Sequence, residues 1–377
     1  MTRARSLLVP VAAVLAAVLG AGCPKQSGQN GQNAAAEASP GQREGSAAQA
    51  GHGHGDSPTT DPPPVTEVRL PPAPPVPAVP AGLPRPPAHD GVTPEAVALG
   101  ELLFHDQRLS ASGAVACASC HDPTRGYAGG ASNAATGKPN LRRVPALVNL
   151  AWATELGWDG RYASVHELLP AHVRGQLGAP IEDAVARIAG NPTYRAHLAR
   201  VGGAPHEAAL SALSAFVLTR YEGDAPWDRL EGTARAPEPG APTDPLVAGY
   251  LVFAGKAQCA VCHPPPLYTN HGYHVAAPNV FDDPGRGLVD KTRTGAFRTP
   301  TLRGAARRPA FTHTGAASSL EQVVDGYLAA SAGAQPGTAF DPAIRQVRLT
   351  PEEREHLLVF LRALTSNAPA PTPPTLP

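Results

Sequence analysis

Apolar residues recur at helical spacing along this 377-residue chain between residues 90 and 368. In "TPEAVALGELLF", Thr93 is placed to cap a helix that begins at Pro94, with an apolar stripe behind it. The closing stretch "LTPEEREHLLVFLRALT" repeats this plan, with Thr350 and Glu353 in a capping box. No convincing run of alternating apolar and polar residues indicates a strand. The pattern therefore predicts an all-α fold.

Further helical stretches lie between these two ends. The spacing predicts helices around 181–199 and 206–221. A similar stretch, "PLVAGYLVFAGKAQCAVCH", places four apolar residues on one helix: Leu246, Tyr250, Leu251 and Phe253.

The first 22 residues have the pattern of a signal peptide. Arg3 and Arg5 precede an apolar run that is short for a membrane span, and small residues precede Cys23. The ending "LGAGC" resembles a bacterial lipobox, which predicts cleavage before Cys23, lipidation of its thiol and a membrane anchor. The alternative is an ordinary secretory signal with an incidental cysteine. Either interpretation predicts export to the periplasmic side.

Composition separates a tether from the folded part. Residues 23–89 are rich in Gly, Ser, Ala and Gln and then in Pro, which predicts a disordered linker with an extended second half. Residues 369–377 are predicted to be a disordered tail. In the linker, "GHGHGD" holds His52 and His54, for which a solvated linker is a better interpretation than a metal site. The formal net charge is zero, so nothing indicates a nucleic-acid partner.

Two copies of a CxxCH pattern carry the clearest chemistry. "ACASCHDP" and "AQCAVCHPP" each place two cysteines three apart with a histidine directly after them. This pattern is typical of c-type haem attachment, in which the thiols bind the haem vinyl groups and the histidine binds the iron. The predicted attachment residues are Cys117, Cys120, Cys259 and Cys262, and the predicted iron ligands are His121 and His263.

A zinc site is the main alternative for these cysteines. The four thiols could form one all-thiolate site, but both flanking histidines would then be unexplained. With Cys23 set apart, no cysteine pair is left for a structural disulfide. The sequence therefore predicts two cytochrome c-like haem domains with long loops, at 90–235 and 236–368.

The sixth iron ligands cannot be methionine in the mature protein. The only methionine is Met1, inside the predicted signal peptide. A methionine ligand is common in cytochromes built for electron transfer. The remaining choices are His, Tyr, another residue, water or no ligand.

Residues 90–368 resemble the bacterial di-haem cytochrome c peroxidase and MauG family. The matching segments follow in order: "LGELLFHDQRLSASGAVACASCHDP", "RRVPALVNLAWATELGWDGR", "GKAQCAVCH", "DPGRG", "GAFRTPTLRG" and "FTHTGAASSLEQVVDGY". The resemblance implies that the first haem reacts with hydrogen peroxide and that the second relays electrons. It also implies that Trp158 matches the family's tryptophan between the haems.

The resemblance implies that Tyr327 is a ligand of the second haem. In the family, this ligand lies fourteen residues after the histidine of a Phe-x-His-x-Gly motif, which His313 matches here. Peroxidases of the family have methionine there and MauG-type enzymes have tyrosine. An anionic phenolate would stabilise iron in its higher oxidation states. The alternatives are a buried helix tyrosine without this role, or ligation by His271 or His274.

The distal side of the first haem departs from the family. Family peroxidases often have a histidine about twenty residues after CxxCH, but no histidine occurs from 122 to 165, which predicts an iron that is open or bound by water. The family's glutamine and glutamate positions correspond to Leu168 and Gly178. Candidates for moving a proton during O–O cleavage are therefore Glu167, His172 and Gln176. His172 is the first choice because imidazole titrates near neutral pH.

A calcium site between the domains is doubtful. The family has asparagine after arginine in a motif resembling Arg-Asn-x-Pro, and here that position is Arg143. A guanidinium would repel the ion and could take its place.

Three functions are compatible with these features. The first is a MauG-type oxidase, in which peroxide oxidises the haem pair and electrons come through Trp158 from a partner protein or another donor. The second is a cytochrome c peroxidase supplied by a small cytochrome, and the third is a non-catalytic electron carrier. Tyr327 argues against the cytochrome c peroxidase, and an open first haem argues against the electron carrier. The missing glutamine and glutamate weaken both enzyme hypotheses.

Overall fold

The computed structural model describes residues 68–130, 140–231, 244–276, 282–332, 340–342, 344 and 347–377. The predicted signal peptide, Cys23, His52 and His54 lie outside these residues. Val65 to Pro377 form one compact unit.

The described part of the chain is helical. Its helices are α1 (Pro94–His105), α2 (Cys117–Cys120), α3 (Val165–His172), α4 (Ile181–Ala189), α5 (Pro192–Val201), α6 (Pro205–Leu218), α7 (Pro226–Glu231), α8 (Pro245–Ala254), α9 (Leu320–Ser331) and α10 (Pro351–Ala363). The extended pairing consists of two short antiparallel strands, β1 (Tyr273–His274) and β2 (Phe297–Arg298). The all-α prediction is confirmed.

The predicted caps form as hydrogen bonds. The Thr93 hydroxyl accepts the backbone N–H of Ala96 at 3.2 Å and starts α1. At α10, Thr350 and Glu353 bond each other's backbone N–H groups, which completes the predicted capping box. The predicted helix around 181–199 is interrupted. The first helix ends at Ala189 with Gly190 as its C-cap, and Asn191 caps the next helix, accepting the Thr193 N–H at 2.8 Å.

Each half of the fold is built on a helix pair that crosses at a glycine. A Cβ atom on Gly100 of α1 would lie 2.0 Å from the Ala212 carbonyl oxygen of α6. A Cβ atom on Gly249 of α8 would lie 2.1 Å from the His356 carbonyl oxygen of α10. Only glycine permits such close backbone approach. In each pair, the first helix, α1 or α8, precedes a CxxCH motif in the sequence.

The described residues contain two large hydrophobic cores, one in each half of the chain. Leu103, Phe104 and Phe216 lie in the first core, and Phe253 and Phe360 lie in the second. Trp227 packs into the second core, with its ring centre 5.1 Å from that of Phe360, although it precedes residue 235. The predicted boundary between 235 and 236 itself lies outside the described residues.

The end of the predicted linker is packed against the folded chain. Residues 68–89 form neither helix nor strand, as the proline content predicts. However, Arg200 donates to the Leu70 carbonyl and Arg303 donates to the Gly82 carbonyl, both at 2.7 Å. In the predicted tail, the Pro377 carbonyl accepts from Arg108 at 3.1 Å. Side-chain hydrogen bonds to backbone carbonyls therefore order parts of both segments that composition alone indicates as disordered.

No helix within the described ranges is both long and apolar enough to cross a membrane.

Candidate functional site

The first CxxCH motif forms one turn of helix that aims its histidine into a cavity. The backbone N–H of His121 closes the turn on the Cys117 carbonyl at 2.9 Å. The imidazole is buried, and its Nδ1 lies 3.2 Å from the Tyr127 carbonyl and 3.1 Å from the Pro145 carbonyl. Because carbonyls only accept, Nδ1 carries the proton. Nε2 is left as the lone-pair nitrogen that a metal needs.

The second motif repeats this arrangement. The His263 N–H donates to the Cys259 carbonyl at 2.8 Å, and Nδ1 lies 3.0 Å from the Tyr268 carbonyl. Burial lowers the pKa of His121 to about 3 and that of His263 to about 4. Both imidazoles are therefore neutral, the form that binds iron, across the physiological range.

The four cysteines of the two motifs form no disulfide. Burial raises the pKa of Cys117 and Cys259 to about 12 and that of Cys262 to about 11. A redox-active CxxC would require a lowered thiol pKa. Within the described ranges, no three His, Cys, Asp or Glu side chains come together as a metal site, so the pooled zinc alternative has no structural support.

A cavity of about 730 Å³ opens beside the first motif. Its lining is largely apolar and includes the side chains of Cys117, Cys120 and His121. Pockets for cofactors typically have volumes of about 300–1,000 Å³ and apolar walls with a few placed polar groups. Thiols, a neutral imidazole and apolar walls in one cavity fit a covalently attached haem.

His172 faces the same cavity across from His121. The two ring centres are 6.0 Å apart, and the rings are inclined by 49°. His172 ends α3 and is followed by a π-helical turn, Val173–Leu177, a backbone irregularity that is frequent at functional sites. Burial lowers the pKa of His172. The open distal side stays a prediction, and the structure places the His172 imidazole 6.0 Å from that of His121 in the same cavity.

The other two proton-transfer candidates are placed differently. Glu167 is exposed, and its carboxylate accepts the Ala163 N–H at 2.8 Å, so it caps α3 instead of lining the cavity. Gln176 does line the cavity, where its amide exchanges hydrogen bonds with that of Asn140 at 3.2 and 3.3 Å. Leu168 also lines the cavity and contributes an apolar wall.

Trp158 forms part of the wall between two cavities. It is 9% exposed and lines both the large cavity and a smaller one of about 30 Å³. Its indole N–H donates to the Arg143 carbonyl at 3.0 Å. The neighbouring Asp159 is buried and pairs with Arg142 at 2.6 Å and with Arg161, which fixes the segment that carries the indole.

Tyr327 lies on α9, close to the second motif. Burial raises the pKa of its phenol well above the usual value, and the Cys259 and Cys262 sulfurs raise it further. The ring of His313, the histidine of the Phe-x-His-x-Gly motif, stacks on that of Phe297, and the two ring centres are 3.6 Å apart.

The two histidine alternatives have other partners. His274 bonds Asp341 through Nδ1 at 2.7 Å and Asn270 through Nε2 at 3.3 Å, so both of its ring nitrogens are used. His271 lines the small cavity, and its Nδ1 lies 3.3 Å from the Arg298 guanidinium, whereas its buried Nε2 has no hydrogen-bond partner in the described part of the chain.

Comparisons with known proteins found several that are similar to this chain. A family model described as di-haem cytochrome c peroxidase matches residues 94–235. The methylamine utilization protein MauG of Methylorubrum extorquens is 34% identical over 79% of this chain and 86% of its own length. A cytochrome-c peroxidase of Denitromonas iodatirespirans is 29% identical over 80% of this chain and 89% of its own length. The crystal structure of a MauG-like protein associated with microbial copper homeostasis has a TM-score of 0.67 and 25% identity, covering 77% of this chain and 95% of that one.

Proposed function

Because the chain belongs to the di-haem cytochrome c peroxidase family, we propose that it is a peroxide-dependent oxidoreductase of the MauG type. Membership implies two c-type haems and a di-haem peroxidase-type activity. The finer assignment concerns which residues hold the haems, move the proton and pass the electrons.

Each haem has a matching set of residues. The first would be held by Cys117, Cys120 and His121. The second would be held by Cys259, Cys262 and His263, with Tyr327 as its further ligand. When bound, the first haem supplies the two-electron reduction of hydrogen peroxide. The carbonyls behind His121 and His263 fix both imidazoles in the ligating tautomer.

The main support for two haems is that both CxxCH motifs have the same local geometry. Two CxxCH turns, each with a histidine held at Nδ1 by a backbone carbonyl, are what two covalent haems require. The denatured protein should have a mass that exceeds the apoprotein by two haems. The double variant Cys117→Ala with Cys120→Ala should retain one haem. A mature protein with no covalent haem would reject the proposal.

His172 is the proposed proton carrier on the distal side. It lines the cavity, and within the described ranges neither of its ring nitrogens has a hydrogen-bond partner, so both are available to peroxide. As a base it takes the proton from the inner peroxide oxygen, and as an acid it delivers that proton to the outer one. Glu167 caps its helix, and no role in this step is proposed for it.

The 6.0 Å ring spacing favours a second role for His172. An imidazole nitrogen binds a metal at about 2 Å, and the ring centre lies roughly 1 Å beyond it, so two imidazoles on one metal have ring centres roughly 6 Å apart. His172 would then help His121 to hold the first haem. In His172→Ala, a proton carrier predicts an unchanged ferric spin state with slower reaction, whereas a ligand predicts conversion from low spin to high spin.

Electron flow is assigned to Trp158 and Tyr327. Trp158 lies in the wall of the first haem cavity and supplies an aromatic step toward the second site. A phenolate from Tyr327 is an anionic donor that favours oxidised iron at the second haem. The electrons come from a redox partner protein or another reductant.

Calcium is not part of the proposal. Arg143 is buried, and it donates to the Thr312 carbonyl at 2.6 Å and the Val144 carbonyl at 3.1 Å. Its guanidinium supplies a positive charge where the resemblance would place a cation.

Export and membrane attachment complete the proposal. c-type haem is attached outside the cytoplasm, which agrees with the signal-like pattern of residues 1–22. Lipidation at Cys23 would anchor the enzyme at the membrane surface and give it reach toward a redox partner.

A further inference from the structure

Three arginines face one small cavity between the two halves of the fold. Arg143, Arg298 and Arg308 line the cavity of about 30 Å³, together with Trp158 and His271. Arg143 is 3% exposed and Arg308 is 6% exposed. Among the residues that line this cavity, none is acidic.

The three guanidinium groups bond to backbone or neutral groups only. Arg143 and Arg308 donate to backbone carbonyls, Arg308 reaching those of Thr301 at 2.8 Å and Arg303 at 2.5 Å. The buried Nε of Arg308 has no partner in the described part of the chain. Arg298 donates to the Gly157 carbonyl at 3.2 Å and contacts His271.

Other buried arginines of this chain are paired with carboxylates. Arg303 is fully buried and pairs with the fully buried Asp228 at 2.8 Å. Arg142 pairs with Asp159 and Asp283, each at 2.6 Å.

In contrast, no ion pair joins Arg143, Arg298 or Arg308 to a carboxylate within the described ranges. Glu222, which attracts Arg308 at longer range, is paired with Arg307 at 3.2 Å. A buried charge without a partner is costly, so this cluster indicates a missing anion.

The size and position of the cavity indicate which anion. A volume of about 30 Å³ holds one or two water-sized groups, which is enough for a carboxylate but not for a larger organic acid. Arg143, Arg298 and Trp158 line both this cavity and the large one. A carboxylate carried by the occupant of the large cavity can therefore enter the small one.

We propose that Arg143, Arg298 and Arg308 bind a propionate carboxylate of the first haem, so that this interdomain site takes an anion in place of a cation. The proposal rests on the haem assigned above to Cys117 and Cys120. Arginine suits it because the guanidinium binds carboxylates through two parallel hydrogen bonds. The anion also offsets positive charge beside Trp158.

The direct test is resonance Raman spectroscopy of the purified two-haem protein. The variants are Arg308→Gln and Arg143→Gln, with Arg308→Lys to keep the charge while losing the two-pronged contact. The matched control is Arg229→Gln, which removes an exposed arginine paired with Asp224. The propionate-bending band of the first haem should shift in all three site variants and stay unchanged in the control.

Redox titration gives a second readout. Loss of a positive charge beside the propionate should lower the ferrous-to-ferric ratio of the first haem about tenfold at a fixed applied potential. The two glutamine variants should show this change, and Arg229→Gln should not. If the site variants match the control in both the Raman band and this ratio, the proposal is wrong.

Added acetate or chloride separates a tethered carboxylate from a free one. At constant ionic strength, neither should change the wild-type Raman band or melting temperature, because the site is already filled. A saturable effect of either ion would identify a free anion as the occupant and overturn the propionate assignment. Haem content from the denatured mass is measured alongside, so that loss of haem attachment, which would contradict the proposed function, is recognised separately.

Discussion

The guanidinium carbon of Arg143 lies 4.9 Å from the centre of the Trp158 indole ring, and the Arg143 carbonyl accepts the indole N–H at 3.0 Å. A cation over a ring stabilises the neutral ring by about 2 kcal/mol when the pair is desolvated. The same cation opposes removal of an electron from the ring. We therefore expect the Arg143 charge to raise the potential at which Trp158 is oxidised.

Replacement of Trp158 should slow electron transfer between the two haems. In Trp158→Phe, the first haem should still react with peroxide, because the residues of its distal side are unchanged. Oxidation of the second haem should slow by roughly an order of magnitude or more, since the aromatic step between the sites has a higher oxidation potential. Stopped-flow absorption of both haems measures this. Trp152→Phe is the control, and equal rates in both variants would exclude Trp158 as the relay.

Acid should loosen the segment that holds Trp158. Burial raises the pKa of Asp159, but hydrogen bonds from Arg161 and Arg142 outweigh it and leave the pKa below its usual value. A lowered folded-state pKa contributes stability above the unfolded value of about 3.9, and this is lost as the pH falls through the folded value. The free energy of unfolding should therefore decline below about pH 4.

The variant Asp159→Asn tests whether Asp159 causes this loss of stability in acid. It should lose about 1–3 kcal/mol at neutral pH, because the charge-assisted hydrogen bonds from Arg142 and Arg161 are lost, although Arg142 keeps its pair with Asp283. It should also show a smaller decline in acid than the wild type. Denaturant unfolding at several pH values measures both quantities, and an unchanged acid slope in the variant would assign the pH dependence to other groups.

Lipidation of Cys23 can be tested in cells. Labelled fatty acid should enter the wild-type protein, and the wild type should sediment with membranes. Cys23→Ser should be unlabelled and released, because a single residue carries the anchor. Equal labelling of both proteins, or of neither, would favour the ordinary secretory signal.

Local sequence signals predicted much of the fold. The caps formed by Thr93, Thr350 and Glu353 involve residues only three positions apart. They could therefore be predicted from the sequence, and all are present. The packing of residues 68–89 could not be predicted, because it depends on Arg200 and Arg303, which are more than a hundred residues away.

The candidate site was predictable to a similar extent. The CxxCH motifs carry their chemistry in adjacent residues, whereas the distal residues come together only in three dimensions. His172 and Glu167 are five apart on one helix, yet one lines the cavity and the other caps the helix. The sequence could not predict that Arg298 and Arg308 line one cavity with Arg143, because they lie more than 150 positions from it.

Tyr327 distinguishes the MauG-type assignment from a cytochrome c peroxidase. Each 1.4 kcal/mol of phenolate stabilisation changes the population of the oxidised second haem about tenfold. If Tyr327 is a ligand of the second haem as proposed, Tyr327→His replaces its anionic oxygen donor with a neutral nitrogen donor. Tyr221→His is the matched control, because the Tyr221 ring lies against Trp152, with ring centres 5.7 Å apart, in the half of the chain that carries the first motif.

The most direct measurement is the absorption and electron paramagnetic resonance spectrum of the di-ferric protein before and after one equivalent of hydrogen peroxide. In the wild type and in Tyr221→His, the signals of both haems should change together, and the oxidised state should be long-lived. In Tyr327→His, only the first haem should change, and the ferric spectrum of the second should differ from wild type before peroxide is added. Identical ferric spectra and identical peroxide products in wild type and Tyr327→His would contradict ligation by Tyr327 and the MauG-type function that depends on it.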